Sequence, residues 1–137
     1  MRGTPMELDL PDVVAEVRAV IDRYETALMT NDIPTLEAIF WDDPRTVRLG
    51  VNEILFGMDA IRRFRRAQAG GYQQRERLEV RVTTYGRDTG VTNIVYRRVS
   101  TGLIGRETKI LARITGLGWR VVSAHVSLNP EGTPIET

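Results

Sequence analysis

The chain has no cysteine and only one histidine, His125, in 137 residues. Without cysteine there are no disulfides, thiolate nucleophiles or thiolate metal sites, which fits a cytoplasmic protein. A lone histidine with no carboxylate–histidine spacing argues against zinc, and neither a metal nor an organic cofactor is expected. A Gly-x-Ser-x-Gly elbow and a glycine-rich phosphate loop are also missing. Neither sign of charge dominates: 19 basic and 18 acidic residues give a net charge of +1. That removes any global attraction to nucleic acid or to an anionic membrane. No apolar run approaches the ~20 residues that a membrane helix needs, and Met1 to Met6 lack the apolar segment of a signal peptide. Hydrolytic chemistry in such a chain would have to use positioned polar groups and water.

What is present is a change of hydrophobic period along the chain. Pro11 and Asp12 suit a helix start, and Val13, Val17, Val20, Ile21, Tyr24 and Leu28 then recur every three or four residues. Asn31-Asp32 breaks this helix, and Pro34 opens a shorter one with Leu36, Ile39 and Phe40 inward. Val47, Leu49 and Val51 then alternate with Thr46, Arg48 and Gly50, so a short strand is expected, with a turn at Asn52-Glu53 and a return at Ile54–Phe56. Asp59 is placed as the cap of a third helix, with Gly70-Gly71 ending it. Its arginines, Arg62, Arg63, Arg65 and Arg66, have no aromatic platform beside them. A solvated face or subunit contact, with only the Arg65 stem inward, is the better reading than nucleic-acid binding. Four long strands follow, 78–85, 90–99, 103–114 and 119–128, joined by turns short enough to make neighbours antiparallel. Helices first and a meander afterwards is the order of an α+β domain. The boundaries expected are a flexible extension over 1–10, one domain over 11–130 and a tail over 131–137.

The final strand carries the histidine. Alternation puts Trp119, Val121, Ser123, His125 and Ser127 on one face, and Arg120, Val122, Ala124, Val126 and Leu128 on the other. An imidazole between two hydroxyls is either the wall of a polar pocket or ordinary sheet surface. Parity does not decide the matter, because a slip of one residue exchanges the two faces. Tyr24, on the buried stripe of the first helix, is either a core tyrosine bonded to a carbonyl or a phenol directed into a cavity. Arg48 points away from Val47 and Leu49 and is either exposed or inside. Arg106 shares a face with Thr108 and Ile110.

The order of elements resembles the cone-shaped nuclear transport factor 2-like, or cystatin-like, fold. Within that superfamily, several separated phrases are similar to the AtzH-like group: Asn31–Trp41, Thr46–Gly50, Gly57–Arg66, Gly105-Arg106 and Ser123–Ser127. The group is associated with cyanuric acid breakdown and oxalurate catabolism. The resemblance implies a small amidohydrolase or deamidase acting on an anionic, carboxylated urea-type compound such as dicarboxyurea. In that reading Arg48 holds the carboxylate and Tyr24 bonds the scissile carbonyl. His125, Ser127 and Arg106 are further substrate-binding candidates, with His125 ordering water. A homodimer through the sheet face is implied, since three helices cannot cover both sides of an extended sheet. The alternative is a non-catalytic ligand-binding or accessory subunit of an amidase.

Overall fold

Pro11 and the recurring valines and isoleucines produce a long first helix, α1, over Pro11–Met29, and Val13, Val17, Ile21, Tyr24 and Leu28 are buried along its stripe. The structure, a computed structural model, describes residues 3–68 and 71–137. Asn31 takes a left-handed backbone conformation (φ 52°), which asparagine tolerates better than most residues, and this turns the chain out of α1. Asp32 then caps α2, Ile33–Ile39: its side chain accepts from the Thr35 N–H at 3.3 Å and from the Thr35 hydroxyl at 2.6 Å. Two short strands follow, β1 (Val47–Leu49) and β2 (Ile54–Phe56), and then α3 (Met58–Arg66). Gly57, not Asp59, occupies the position before α3. Asp59 lies in the first turn, where its charge suits the helix end and bonds Arg62 at 2.8 Å. Gly70 lies outside the described residues.

The remainder is sheet: β3 (Arg75–Tyr85), β4 (Thr89–Arg98), β5 (Ile104–Ile114) and β6 (Gly118–Asn129). The six strands are ordered β2-β1-β6-β5-β4-β3. All neighbours are antiparallel except β1 and β6, which run parallel. The α+β architecture is the expected one, with the helices against the inner sheet face. The third strand begins three residues earlier than expected, at Arg75, and that difference matters for the site. Residues 7–9, read as part of a loose extension, are held against the end of β3. The Asp9 N–H donates to the Thr84 carbonyl at 3.0 Å, and the Asp9 side chain accepts from the Thr84 N–H at 2.9 Å.

The core joins Val13, Val17 and Ile21 of α1 to Leu36 and Ile39 of α2, Met58 and Ile61 of α3, and Ile94, Leu111 and Val121 of the sheet. These side chains fill the closed end of the cone, and burial of apolar area at about 25 cal/mol per Å² drives the layers together.

Within β6 the alternation breaks once. Ile110 pairs with Ser123 but Leu111 with Val121, so Val122 is an extra residue, a β-bulge. Trp119 and Val121 therefore face inward before it. After it the inward set is Ala124, Val126 and Leu128. The face predicted by uninterrupted alternation is split in two, and Ser123, His125 and Ser127 are turned outward.

Candidate functional site

The open end of the cone is a cavity of about 450 Å³ between α1, the chain around β1, α3 and the inner faces of β3 to β6. Its polar lining includes Tyr24, Arg48, Glu53, Tyr72, Arg75 and Glu107. Among the described residues no group of three or more histidine, aspartate or glutamate side chains could hold a metal ion.

Arg48 reaches the cavity because β1 lies parallel to β6, with Arg48 opposite the inward-facing Ala124. It is 8% exposed. Its guanidinium is ion-paired to Glu53 and stands 4.9 Å from the Phe64 ring centroid. The turn at Asn52-Glu53 makes this possible by folding Glu53 back over the strand. Gly50 leaves the room, since a Cβ there would overlap the Glu53 carboxylate.

Tyr24 enters from α1, 5% exposed, with its hydroxyl 3.4 Å from Nη2 of Arg65. The Lys109 ammonium lies 3.9 Å from the centroid of its ring. Burial by itself pushes the phenol up. The charges of Arg65 and Lys109, helped by Arg48 and opposed by Glu107, outweigh burial and bring it down to about 8. Tyr24 is therefore a stronger hydrogen-bond donor than an ordinary tyrosine and still mostly protonated at neutral pH.

Beneath these two residues runs a buried ionic chain. Arg75 donates through Nη2 to Glu25 at 2.6 Å and through Nη1 to Glu107 at 3.1 Å, and its guanidinium lies 4.3 Å from the Tyr96 centroid. Glu107 is also paired to Lys109. Burial would raise the Glu107 carboxyl, but Lys109 and Arg75 together hold it down at about 2, so it stays ionised. Tyr96 can lie here because its cross-strand partner is Gly105. Four cations, Arg48, Arg65, Arg75 and Lys109, thus face three carboxylates, Glu25, Glu53 and Glu107. Arg98 adds a further guanidinium to the lining.

The structure brings Tyr24 and Arg48 into one cavity. It does not bring the other candidates there. His125, Ser127 and Arg106 line a separate depression on the outer sheet face, with Thr108, Ile110 and Ser123. There Arg106 Nε donates to the Ser127 hydroxyl at 3.1 Å. His125 therefore cannot order a water beside Tyr24, and the bulge at Val122 is the reason. Of the arginines of α3, Arg62 pairs with Asp42 and Asp59, and Arg66 with Glu37. Arg65, by contrast, is buried to its guanidinium, at 1% exposure, and is not part of a solvated face. Its place was signalled by its spacing from Met58 and Ile61, seven and four residues earlier on one helix stripe. Glu107 and Lys109 share the inward parity of Leu111. Arg75 carried no such signal, lying before the expected strand.

A family model described as AtzH-like matches residues 6–132. The chain belongs to the AtzH-like family. Its solved neighbours include a protein of unknown function from Pectobacterium atrosepticum, 39% identical, with 90% of this chain and 95% of that one covered at a TM-score of 0.85. A cystatin-like fold protein from Burkholderia xenovorans is 38% identical, with 94% and 99% covered at a TM-score of 0.87. A nuclear transport factor 2-like protein of unknown function from Pseudomonas putida, 22% identical, covers 90% and 91% at a TM-score of 0.77 and shares the fold. A search of curated proteins gives no match. The AtzH-like chain thus has the nuclear transport factor 2-like fold, and the described residues contain no helix long and apolar enough to cross a membrane.

Proposed function

We propose that this AtzH-like protein hydrolyses a C–N bond in an anionic, carboxylated urea-type metabolite. The observation that carries the reading is the shared cavity of Tyr24 and Arg48, whose lining arginines, Arg48, Arg75 and Arg98, outnumber its carboxylates, Glu53 and Glu107. A ligand carboxylate supplies the missing negative charge. Arg48 keeps guanidinium N–H groups beyond the one given to Glu53, and a planar fork suits a carboxylate. Tyr24 donates to the scissile carbonyl oxygen and continues to donate as that oxygen becomes an oxyanion, when the bond is strongest. Glu53 is the lining carboxylate that can take a proton from water, because Glu107 is committed to Lys109 and Arg75. Its grip on Arg48 loosens as the substrate carboxylate takes its place. Water adds its oxygen to the carbonyl carbon, the C–N bond breaks, and the proton held by Glu53 goes to the departing nitrogen, which leaves as ammonia or, where it is carboxylated, as carbamate that then yields ammonia and CO2.

A second reading has one observation in its favour: Glu25, Glu53 and Glu107 are each already ion-paired. A cavity without a free base suits a ligand-binding subunit of a separate amidase. Ammonia release from purified protein supplied with oxalurate and a panel of carboxylated ureas separates the two. Turnover that is lost in Tyr24→Phe supports the hydrolase. No turnover, together with co-purification of an amidase, supports the subunit. We further propose a homodimer through the outer sheet face, where Ile54, Phe56 and Ile110 are exposed. Sedimentation of wild type against Phe56→Glu tests this, and a wild-type monomer would end it.

A further inference from the structure

Of Arg48, Arg65, Arg75 and Lys109, Arg65 is the one without a carboxylate partner among the described residues. It is buried, its Nε finds no hydrogen-bond partner among the described residues, and its two bonds go to the hydroxyls of Tyr24 and Tyr72, both at 3.4 Å. Its guanidinium stands 4.7 Å from the Phe40 centroid and 5.7 Å from that of Tyr24. A cation taken out of water is unfavourable unless it is compensated. The faces of Phe40 and Tyr24 compensate part of that cost. Among the described residues its only hydrogen-bond acceptors are the two phenol oxygens, and both of those tyrosines line the cavity while Arg65 does not.

We propose that Arg65 is a positioning residue that acts through Tyr24, fixing the phenol against the cavity and lending it the unpaired charge that strengthens its hydroxyl as the donor to the scissile carbonyl. This deepens the hydrolase reading and rests on Tyr24 being the donor to the scissile carbonyl. The other charged groups around Tyr24 cannot replace Arg65. Lys109 and Glu107 of β5 largely cancel each other, Arg48 of β1 is held by Glu53, and Arg75 of β3 is shared between Glu25 and Glu107. Tyr72, the second phenol on Arg65, accepts from Nη1 at 3.4 Å, and Tyr24 is the one of the two that faces Lys109 as well. The arrangement places negative charge developing on the carbonyl oxygen one hydroxyl away from a desolvated cation. Such a field acts strongly because water does not screen it.

The test is the near-ultraviolet absorbance of tyrosinate during an alkaline titration, with circular dichroism recorded to confine the curve to folded protein. The chain has four tyrosines, Tyr24, Tyr72, Tyr85 and Tyr96. The wild type should show one of them ionising near pH 8, ahead of the rest, and Tyr24→Phe should remove that step. Arg65→Met should move the step upward by about one to three pH units. Arg65→Lys, which keeps the charge without the two-pronged geometry, should retain an early step while lowering kcat more than it raises KM. A wild-type curve without an early step, or an early step that Arg65→Met leaves in place, overturns the proposal. If Arg65→Met does not fold, Arg65→Gln, which removes the charge but keeps a polar group, is titrated in its place with the same two outcomes. The titration needs no substrate. An early step that depends on Arg65, in a protein that turns over no carboxylated urea, supports this role for Arg65 and retires the hydrolase reading alone.

Discussion

Tyr96 occupies the space in front of Gly105. The two are cross-strand partners on β4 and β5, and a Cβ on Gly105 would overlap the phenol ring. The missing side chain lets Tyr96 lie over the inner sheet face, where it backs the Arg75 guanidinium. Gly105→Ala is expected to destabilise the protein by ~1–3 kcal/mol through overpacking, and to disturb Arg75 with it. Urea unfolding of the variant checks the stability. The double variant with Tyr96→Ala should show clear non-additivity, since the clash no longer exists once the ring is gone.

Arg48→Ala should lower kcat/KM for a carboxylated urea by roughly a hundredfold, about 3 kcal/mol, through loss of the carboxylate contact. Folding should suffer less than that. Glu53 lines the cavity and is partly exposed, so it can hydrate once Arg48 is gone. Steady-state kinetics alongside thermal unfolding separates the two effects, and Arg48→Lys should recover only part of the activity because the fork is lost.

His125→Ala should leave turnover within about twofold of wild type, since the imidazole is on the far side of the sheet from Tyr24. Any effect should appear in self-association, measured by sedimentation. A large loss of kcat in this variant with the dimer intact would contradict the assignment of faces.

The Glu107 carboxyl makes a stability prediction with a definite sign. Its folded value, about 2, lies below the ordinary 4.5, so the folded state favours the carboxylate. The resulting stability is fully present above about pH 4.5 and is lost as the pH falls towards 2. Glu107→Gln should remove this acid limb. At neutral pH it should cost roughly 3–5 kcal/mol, because Lys109 and Arg75 are left buried and under-compensated. Unfolding midpoints measured across that pH range check both statements.

For Tyr24 the protonated phenol is the working form, so kcat should fall as the pH rises through about 8. The same lowered value means that the folded state gains stability between about pH 8 and 10, as the buried phenolate becomes the favoured form among its cations. A rate profile and an unfolding series over that interval should therefore move in opposite directions.

The fold was legible because its period changes cleanly. The stripe from Val13 to Leu28 and the paired strand signals gave the layers and their order. The site was legible in part. Tyr24 was visible as a polar residue on an apolar stripe, and Arg48 as a charge in a short strand whose facing alternation alone left open. The last strand was misread because alternation assumes an unbroken ladder, and the bulge at Val122 breaks it without any glycine or proline to mark the place. The ionic chain was hidden for another reason. Glu25, Arg75, Glu107 and Lys109 lie on three separate elements, and only packing shows that they neutralise one another. A charged residue at a helix face or strand end reads as solvated until its partner is placed.

The most direct measurement of the central claim is a crystal structure of the protein with oxalurate bound. The carboxylate should lie on the Arg48 guanidinium and a carbonyl oxygen within hydrogen-bond distance of the Tyr24 hydroxyl. Oxalurate seated instead on the outer face among Arg106, His125 and Ser127, with the cavity holding none, would contradict the account.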